Sequence, residues 1–184
     1  MKPTTYTINF KSVQDRTIPA FVWDNGNYDN TVLILAGQHG CEAESVEIVG
    51  YHFLDELHVN PPTKNNVVVI PCLNPDGYEL YMKYTEDGNN VDIPTSQITE
   101  CRKNATGVDL NANLPNETWE FRAPSPNFPN EYPYTGKTPA SEPETKALIA
   151  TMNMFKPRFV VSVHARNNFY DPSDEKLAKF SPLI

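Results

Sequence analysis

Short apolar runs separated by turn residues dominate the chain, and the period within each run tells strands from helices. Tyr6 to Phe10 and Ile18 to Trp23 alternate apolar with polar residues on either side of the turn-prone Ser12-Val13-Gln14-Asp15-Arg16, which predicts an antiparallel hairpin. Asn25-Gly26-Asn27 then turns the chain into Thr31-Val32-Leu33-Ile34-Leu35-Ala36, an apolar run of the kind that forms a strand buried on both faces. From Glu42 to Leu57, the residues Ala43, Val46, Val49, Phe53 and Leu57 recur at three- or four-residue spacing, as an amphipathic helix requires. Pro61-Pro62 ends that unit, and Val67-Val68-Val69-Ile70 reads as a second buried strand. Asn74-Pro75-Asp76-Gly77 reads as a turn leading into Tyr78-Glu79-Leu80-Tyr81. Residues 84 to 140, rich in Asn, Pro, Thr and Gly, read as long ordered loops, which in compact domains are usually functional. Ser141-Glu142-Pro143-Glu144 reads as a capped helix start with acidic first-turn residues, the helix running through Phe155, and residues 158 to 163 form the last strand. The succession of strand, helix and strand predicts an α/β fold.

Composition narrows the classes. At 184 residues and 39% hydrophobic content the chain can bury one sizeable core, so a single domain over 1–184 is the economical organisation. Lys plus Arg number 15 against 23 Asp plus Glu, and the resulting net charge of -8 argues against a nucleic-acid partner. No stretch approaches the roughly 20 apolar residues of a membrane helix, and Met1-Lys2-Pro3-Thr4 opens no signal-peptide core, so a cytoplasmic location is expected. Cys41, Cys72 and Cys101 are odd in number and widely spaced, as expected of reduced thiols rather than a disulfide framework.

The chemistry collects where apolar runs end. Gly37-Gln38-His39-Gly40-Cys41-Glu42 follows the run 31 to 36 directly, so an imidazole and a carboxylate emerge together from a strand end. Zinc takes His nitrogen and Glu oxygen at about 2.0–2.2 Å, and a catalytic site uses three protein ligands and leaves one position open. His39 and Glu42 supply two ligands, one from the strand-end loop and one from the first helical turn. Phe159-Val160-Val161-Ser162-Val163-His164 is again an apolar run ending in histidine, and neighbouring parallel strands would bring His164 to the first pair. His52 and His58, on the predicted helix, read as structural. Cys41 is expected to turn into the core, and Glu142 and Glu144 to act as helix-dipole partners. Trp119, Phe121, Phe128, Tyr132 and Tyr134 would either line a cleft or pin the long loops to the body.

Six motifs in order resemble the zinc carboxypeptidase family, and within it the small bacterial murein tripeptide amidase branch. They are Gly37-Gln38-His39-Gly40-Cys41-Glu42, Asn74-Pro75-Asp76-Gly77, Arg102-Lys103-Asn104, Gly107-Val108-Asp109-Leu110-Asn111, Ser141-Glu142-Pro143-Glu144 and Ser162-Val163-His164-Ala165. The resemblance covers roughly residues 30 to 165. It implies a mixed, mainly parallel central sheet of about eight strands with helices on both faces. It also implies one zinc per chain held by His39, Glu42 and His164, and hydrolysis of an amide bond in a short peptide, plausibly a murein-derived one. Arg102, nine positions before Asn111, matches the arginine that polarises the scissile carbonyl; the larger carboxypeptidases place it where this chain has Ala105. Asn111 matches the substrate-binding asparagine.

Two departures qualify that expectation. The family's Asp-Leu-Asn-Arg-Asn is Asp109-Leu110-Asn111-Ala112-Asn113 here, so the arginine that clamps a terminal carboxylate is absent, and with it a strong charge-assisted pair. Arg166, two residues past His164, is a candidate for the missing cation. The glutamate that activates the attacking water lies some tens of residues beyond the last ligand in the family, whereas this chain ends at Ile184. Asp171, Asp174 and Glu175, the only downstream carboxylates, sit in what reads as a solvated helix start. The chain is therefore expected to lack the sheet's C-terminal strands, and a second copy or a partner chain is expected to cover the edge left near 158 to 163. Two other functions compete with peptide hydrolysis. One is a non-catalytic zinc or peptide binding module. The other is a deacylase of the succinylglutamate desuccinylase and aspartoacylase kind, which shares the His-Gly-x-Glu start but needs the clamp that Ala112 removes.

Overall fold

The computed structural model describes residues 2–85, 93–124 and 133–165. Arg166, Asp171, Asp174, Glu175, Phe128 and Tyr132, named above, lie outside the described residues. Five strands form one sheet in the order β1-β2-β4-β3-β5, where β1 is Thr4–Lys11, β2 Thr17–Asp24, β3 Thr31–Ala36, β4 Asn66–Ile70 and β5 Phe159–Val163. β1 and β2 make the expected hairpin, and β2 runs antiparallel to β4. β3 lies parallel to both β4 and β5. The sheet is thus mixed, with its parallel half at β4-β3-β5, and among the described residues it has five strands rather than the eight that the resemblance implied.

The apolar runs read as continuous because both faces of the sheet are buried. On one face Leu33, Leu35, Val68 and Ile70 pack with Ala147, Leu148 and Phe155 of helix α5 (Pro143–Phe155). On the other, Ala36, Val67 and Val69 pack with Val49, Leu54 and Leu57 of the first helical unit. That unit comprises α1 (Ala43–Glu47), a π-helical turn (Ile48–Phe53) and α2 (Leu54–Val59). The predicted periodicity holds through Val49, after which the wide turn carries the buried face on to Leu54 rather than Phe53, the i to i+5 step of a π-helix.

Three stretches differ from the sequence expectation. Asn74-Pro75-Asp76-Gly77 is not a free turn but the start of α3 (Pro75–Thr85), because Asn74 Oδ1 accepts the Gly77 amide at 3.0 Å and Pro75 opens the helix. The stretch assigned to loops contains α4 (Thr95–Arg102) and a 3₁₀ turn at Leu110–Asn113. α5 (Pro143–Phe155) begins after Glu142, and Ser141 Oγ bonds Glu142 rather than capping the helix. No helix among the described residues is long and apolar enough to cross a membrane.

Candidate metal centre

Register places the ligands. Ala36 of β3 pairs with Val163 of β5, so the residues that leave both strands emerge on the same side of the sheet. Gly37 makes the exit from β3 possible: its φ is +63°, and a Cβ there would lie 2.8 Å from Val46 Cγ2. Gly40 lets the loop press on α3, since a Cβ would lie 2.0 Å from the Gly77 carbonyl carbon. The loop thereby delivers His39 and Glu42 to the mouth of the parallel sheet, where His164 follows β5.

His39 Nδ1 and His164 Nδ1 each lie 2.8 Å from a different oxygen of the Glu42 carboxylate. The two imidazoles face each other, with centroids 5.1 Å apart. Donor atoms of all three residues fall within 4.8 Å of one another, so the three predicted ligands form one cluster. His39 and Glu42 are buried, while His164 opens the cluster to solvent. Among the described residues no other group of histidine, cysteine and carboxylate side chains converges in this way.

A layer of partners behind the ligands fixes their orientation. His39 Nε2 lies 3.0 Å from Asp109 Oδ1, and Arg102 Nε donates to the other Asp109 oxygen at 2.9 Å. Burial disfavours a charge on His39, yet Asp109 and Glu42 on either side raise its pKa above the ordinary histidine value. Burial likewise opposes ionisation of Glu42, but hydrogen bonds from His164 and His39 hold its carboxyl at about 2. Asp109 is also held at about 2: its bond to His39 and the charges of His39 and Arg102 outweigh its burial. The sequence pattern alone assigns Asp109 no role, although the Asp-Leu-Asn motif contains it. Its only sequence signal was a carboxylate next to the predicted substrate asparagine, because its partner His39 is 70 residues away.

The donor set suits zinc. Two imidazole nitrogens and one carboxylate are the three-ligand combination of catalytic zinc sites, and each histidine offers Nδ1 while its Nε2 is held by a protein group. Arg102, at the C-terminal end of α4, reaches the centre through Asp109, and its side chain is about one third exposed at 36%. Asn111 is exposed in the 3₁₀ turn, its amide donating to Asp109 Oδ1 at 3.0 Å. Ala112 occupies the next position and has no charge to offer.

Glu142 and Glu144 do more than meet a helix dipole. Both are buried, and both accept from Asn104 Nδ2, at 2.8 and 3.1 Å. Glu144 also takes the Val13 amide at 3.0 Å from the hairpin turn. Asn104 Oδ1 in turn accepts from the Thr106 and Val108 amides. The loop carrying Arg102 and Asp109 is therefore fastened to the start of α5, a correction to the helix-dipole expectation that only the tertiary packing reveals. Cys41 and Cys101 are buried, and burial pushes Cys72 and Cys101 up to about 12, which leaves them unreactive.

Comparison with known proteins agrees with this geometry. Residues 3–170 match the zinc carboxypeptidase family. The chain belongs to that family. Murein peptide amidase A of Escherichia coli K12 is 34% identical over 138 residues, covering 72% of this chain and 48% of the relative. The crystal structure of the murein-tripeptide amidase MpaA from Escherichia coli O157 superposes with a TM-score of 0.57 at 28% identity, covering 86% of this chain and 61% of that one. Carboxypeptidase A from Helicoverpa armigera shares the fold, with a TM-score of 0.65 at 20% identity over 90% of this chain and 42% of that one. The chain spans about half the length of murein peptide amidase A from Escherichia coli K12.

Proposed function

We propose that this chain is a zinc-dependent metallopeptidase of the murein amidase type that cuts an amide bond in a short peptide. The observation that carries this reading is the convergence of His39 Nδ1 and His164 Nδ1 on the two oxygens of Glu42. Zinc bound by these three residues would supply a Lewis acid that polarises a carbonyl and acidifies water. The protein's own groups do the rest. Asp109 holds the His39 ring through Nε2 and aligns Arg102 through Nε, which leaves the terminal guanidinium nitrogens to meet the oxygen of a scissile carbonyl as charge develops there. Asn111 lies beside this pair and is suited to orient the substrate backbone.

Glu42 and Asp109 are both committed to the histidines, which leaves neither free to shuttle protons in the reaction. Arg166 fits the role of carboxylate partner that Ala112 vacates. A second reading, a zinc or peptide binding module without turnover, is supported by the same Ala112 and by those commitments. Family membership weighs against the deacylase alternative. β5 is the terminal strand of the sheet on its side among the described residues, and a second copy or partner chain beside it fits a strand with no charged residue. A monodisperse monomer by sedimentation would remove that expectation, and cell fractionation would test the cytoplasmic location.

The deciding experiment measures zinc per chain for the native sequence and for His164→Ala, together with release of product from a murein tripeptide. One zinc, lost with His164→Ala, and turnover would establish the amidase. One zinc without turnover would favour the binding module, and no zinc would overturn the site.

A further inference from the structure

The two histidines are held by different devices. His39 Nε2 has a carboxylate partner in Asp109, whereas His164 Nε2 lies 3.2 Å from the hydroxyl of Ser162, two residues upstream on β5. A hydroxyl can play either part, since it has one proton to give and lone pairs to receive. Which part it plays toward His164 decides which imidazole nitrogen carries the proton, and only a bare Nδ1 can take a metal.

Gln38 settles the matter. It stands between Gly37 and His39 in the strand-end loop, is 3% exposed, and its Oε1 lies 2.5 Å from Ser162 Oγ. A carbonyl oxygen can only accept, so the single Ser162 proton is directed to Gln38. The Ser162 oxygen is then left to receive the N–H of His164 Nε2, and Nδ1, which faces Glu42, is left as the nitrogen for the metal. The same bond ties the strand-end loop, two residues past Ala36, to Ser162 of β5, which pairs with Leu35 of β3. We propose that Gln38 is a positioning residue for the metal centre, acting through Ser162 to fix both the tautomer and the placement of His164. This inference rests on the zinc reading above, and it gives His164 a relay from the loop that also carries His39 and Glu42.

The test is zinc affinity, read by competition with a chromogenic chelator on the full chain. Gln38→Leu is expected to weaken zinc binding about tenfold, the lower end of what loss of an outer partner of a metal ligand costs. Ser162→Ala, at a solvent-exposed position, is expected to cost the same. The double variant is expected to be no weaker than either single one, because one relay can be broken only once. Gln38→Glu, which can only accept, is expected to keep the native affinity, whereas a donor role of the Gln38 amide would not be rescued by it. Native affinity in Ser162→Ala, additive losses in the double variant, or failure of Gln38→Glu to rescue would each overturn the inference. If the native chain takes up no zinc, the metal reading itself fails, an outcome distinct from native zinc binding that is insensitive to Gln38.

Discussion

Asp109 serves two cations with one carboxylate, His39 through Oδ1 and Arg102 through Oδ2. It therefore couples metal binding to the group expected to stabilise the oxyanion, and two substitutions separate these tasks. Asp109→Asn keeps the size but removes the charge, and we expect zinc affinity to fall by about 10- to 100-fold, as measured by chelator competition. Arg102→Ala leaves the ligands in place, so zinc content should stay at one per chain while turnover falls by about 10²- to 10³-fold, the loss seen when one oxyanion donor is removed. A large loss of zinc in Arg102→Ala would show that the arginine is needed to hold Asp109. His39, Glu42 and His164 were legible in the sequence because each ends an apolar run or sits at a fixed offset from one. Asp109 and Gln38 were not, because hydrogen bonds to residues 70 and 124 positions away define them.

At the scale of elements, periodicity located the strands to within a residue or two and the parallel register that joins His39 to His164. It failed between residues 84 and 140, where α4 carries few apolar side chains: only Thr99 and Cys101 of its eight residues are buried. The structure there depends on Asn104, Glu142 and Glu144, whose polar bonds leave no hydrophobic rhythm to read. The Gly40 loop shows the same limit, since a glycine in a sequence says nothing of what presses against it. A Cβ at Gly40 would meet backbone atoms of Gly77 and Tyr78 at 2.0 and 2.3 Å, and neither can rotate away. Gly40→Ala is expected to destabilise the chain by about 2–3 kcal/mol or more, lowering the thermal midpoint by roughly 4–12 °C. Because the displaced loop carries two ligands, zinc affinity should fall with it. A native midpoint in this variant would mean that α3 shifts freely against the loop.

Acid stability joins these pieces across the whole molecule. Glu42 and Asp109 are held at about 2 in the folded chain, below the ordinary carboxylate range they regain on unfolding. The folded state thus binds fewer protons than the unfolded one between those values, so the stability they supply is present above that range and is lost as pH falls toward 2. Both groups bond His39 and cannot be summed, which puts the combined loss on the order of 3 kcal/mol. His39 has the opposite sign: its raised pKa supplies stability that is full below about 6.5 and is lost as pH rises through its folded value. Glu144 behaves differently again. Burial first, and the nearby Asp76 charge, raise its pKa despite bonds from the Val13 amide and Asn104, so it costs stability above its folded value and costs nothing below its unfolded one. Urea unfolding of the metal-free chain should therefore show stability gained as pH drops from neutral into the mildly acid range, then lost steeply toward pH 2. Asp109→Asn should flatten the steep limb, and Glu144→Gln should remove part of the gain. Zinc competes with protons for the two Nδ1 atoms, so its stabilisation should grow as pH rises through the range where His39 gives up its proton. An acid limb that Asp109→Asn leaves unchanged would mean that the His39 and Asp109 pair does not set the stability of the metal centre.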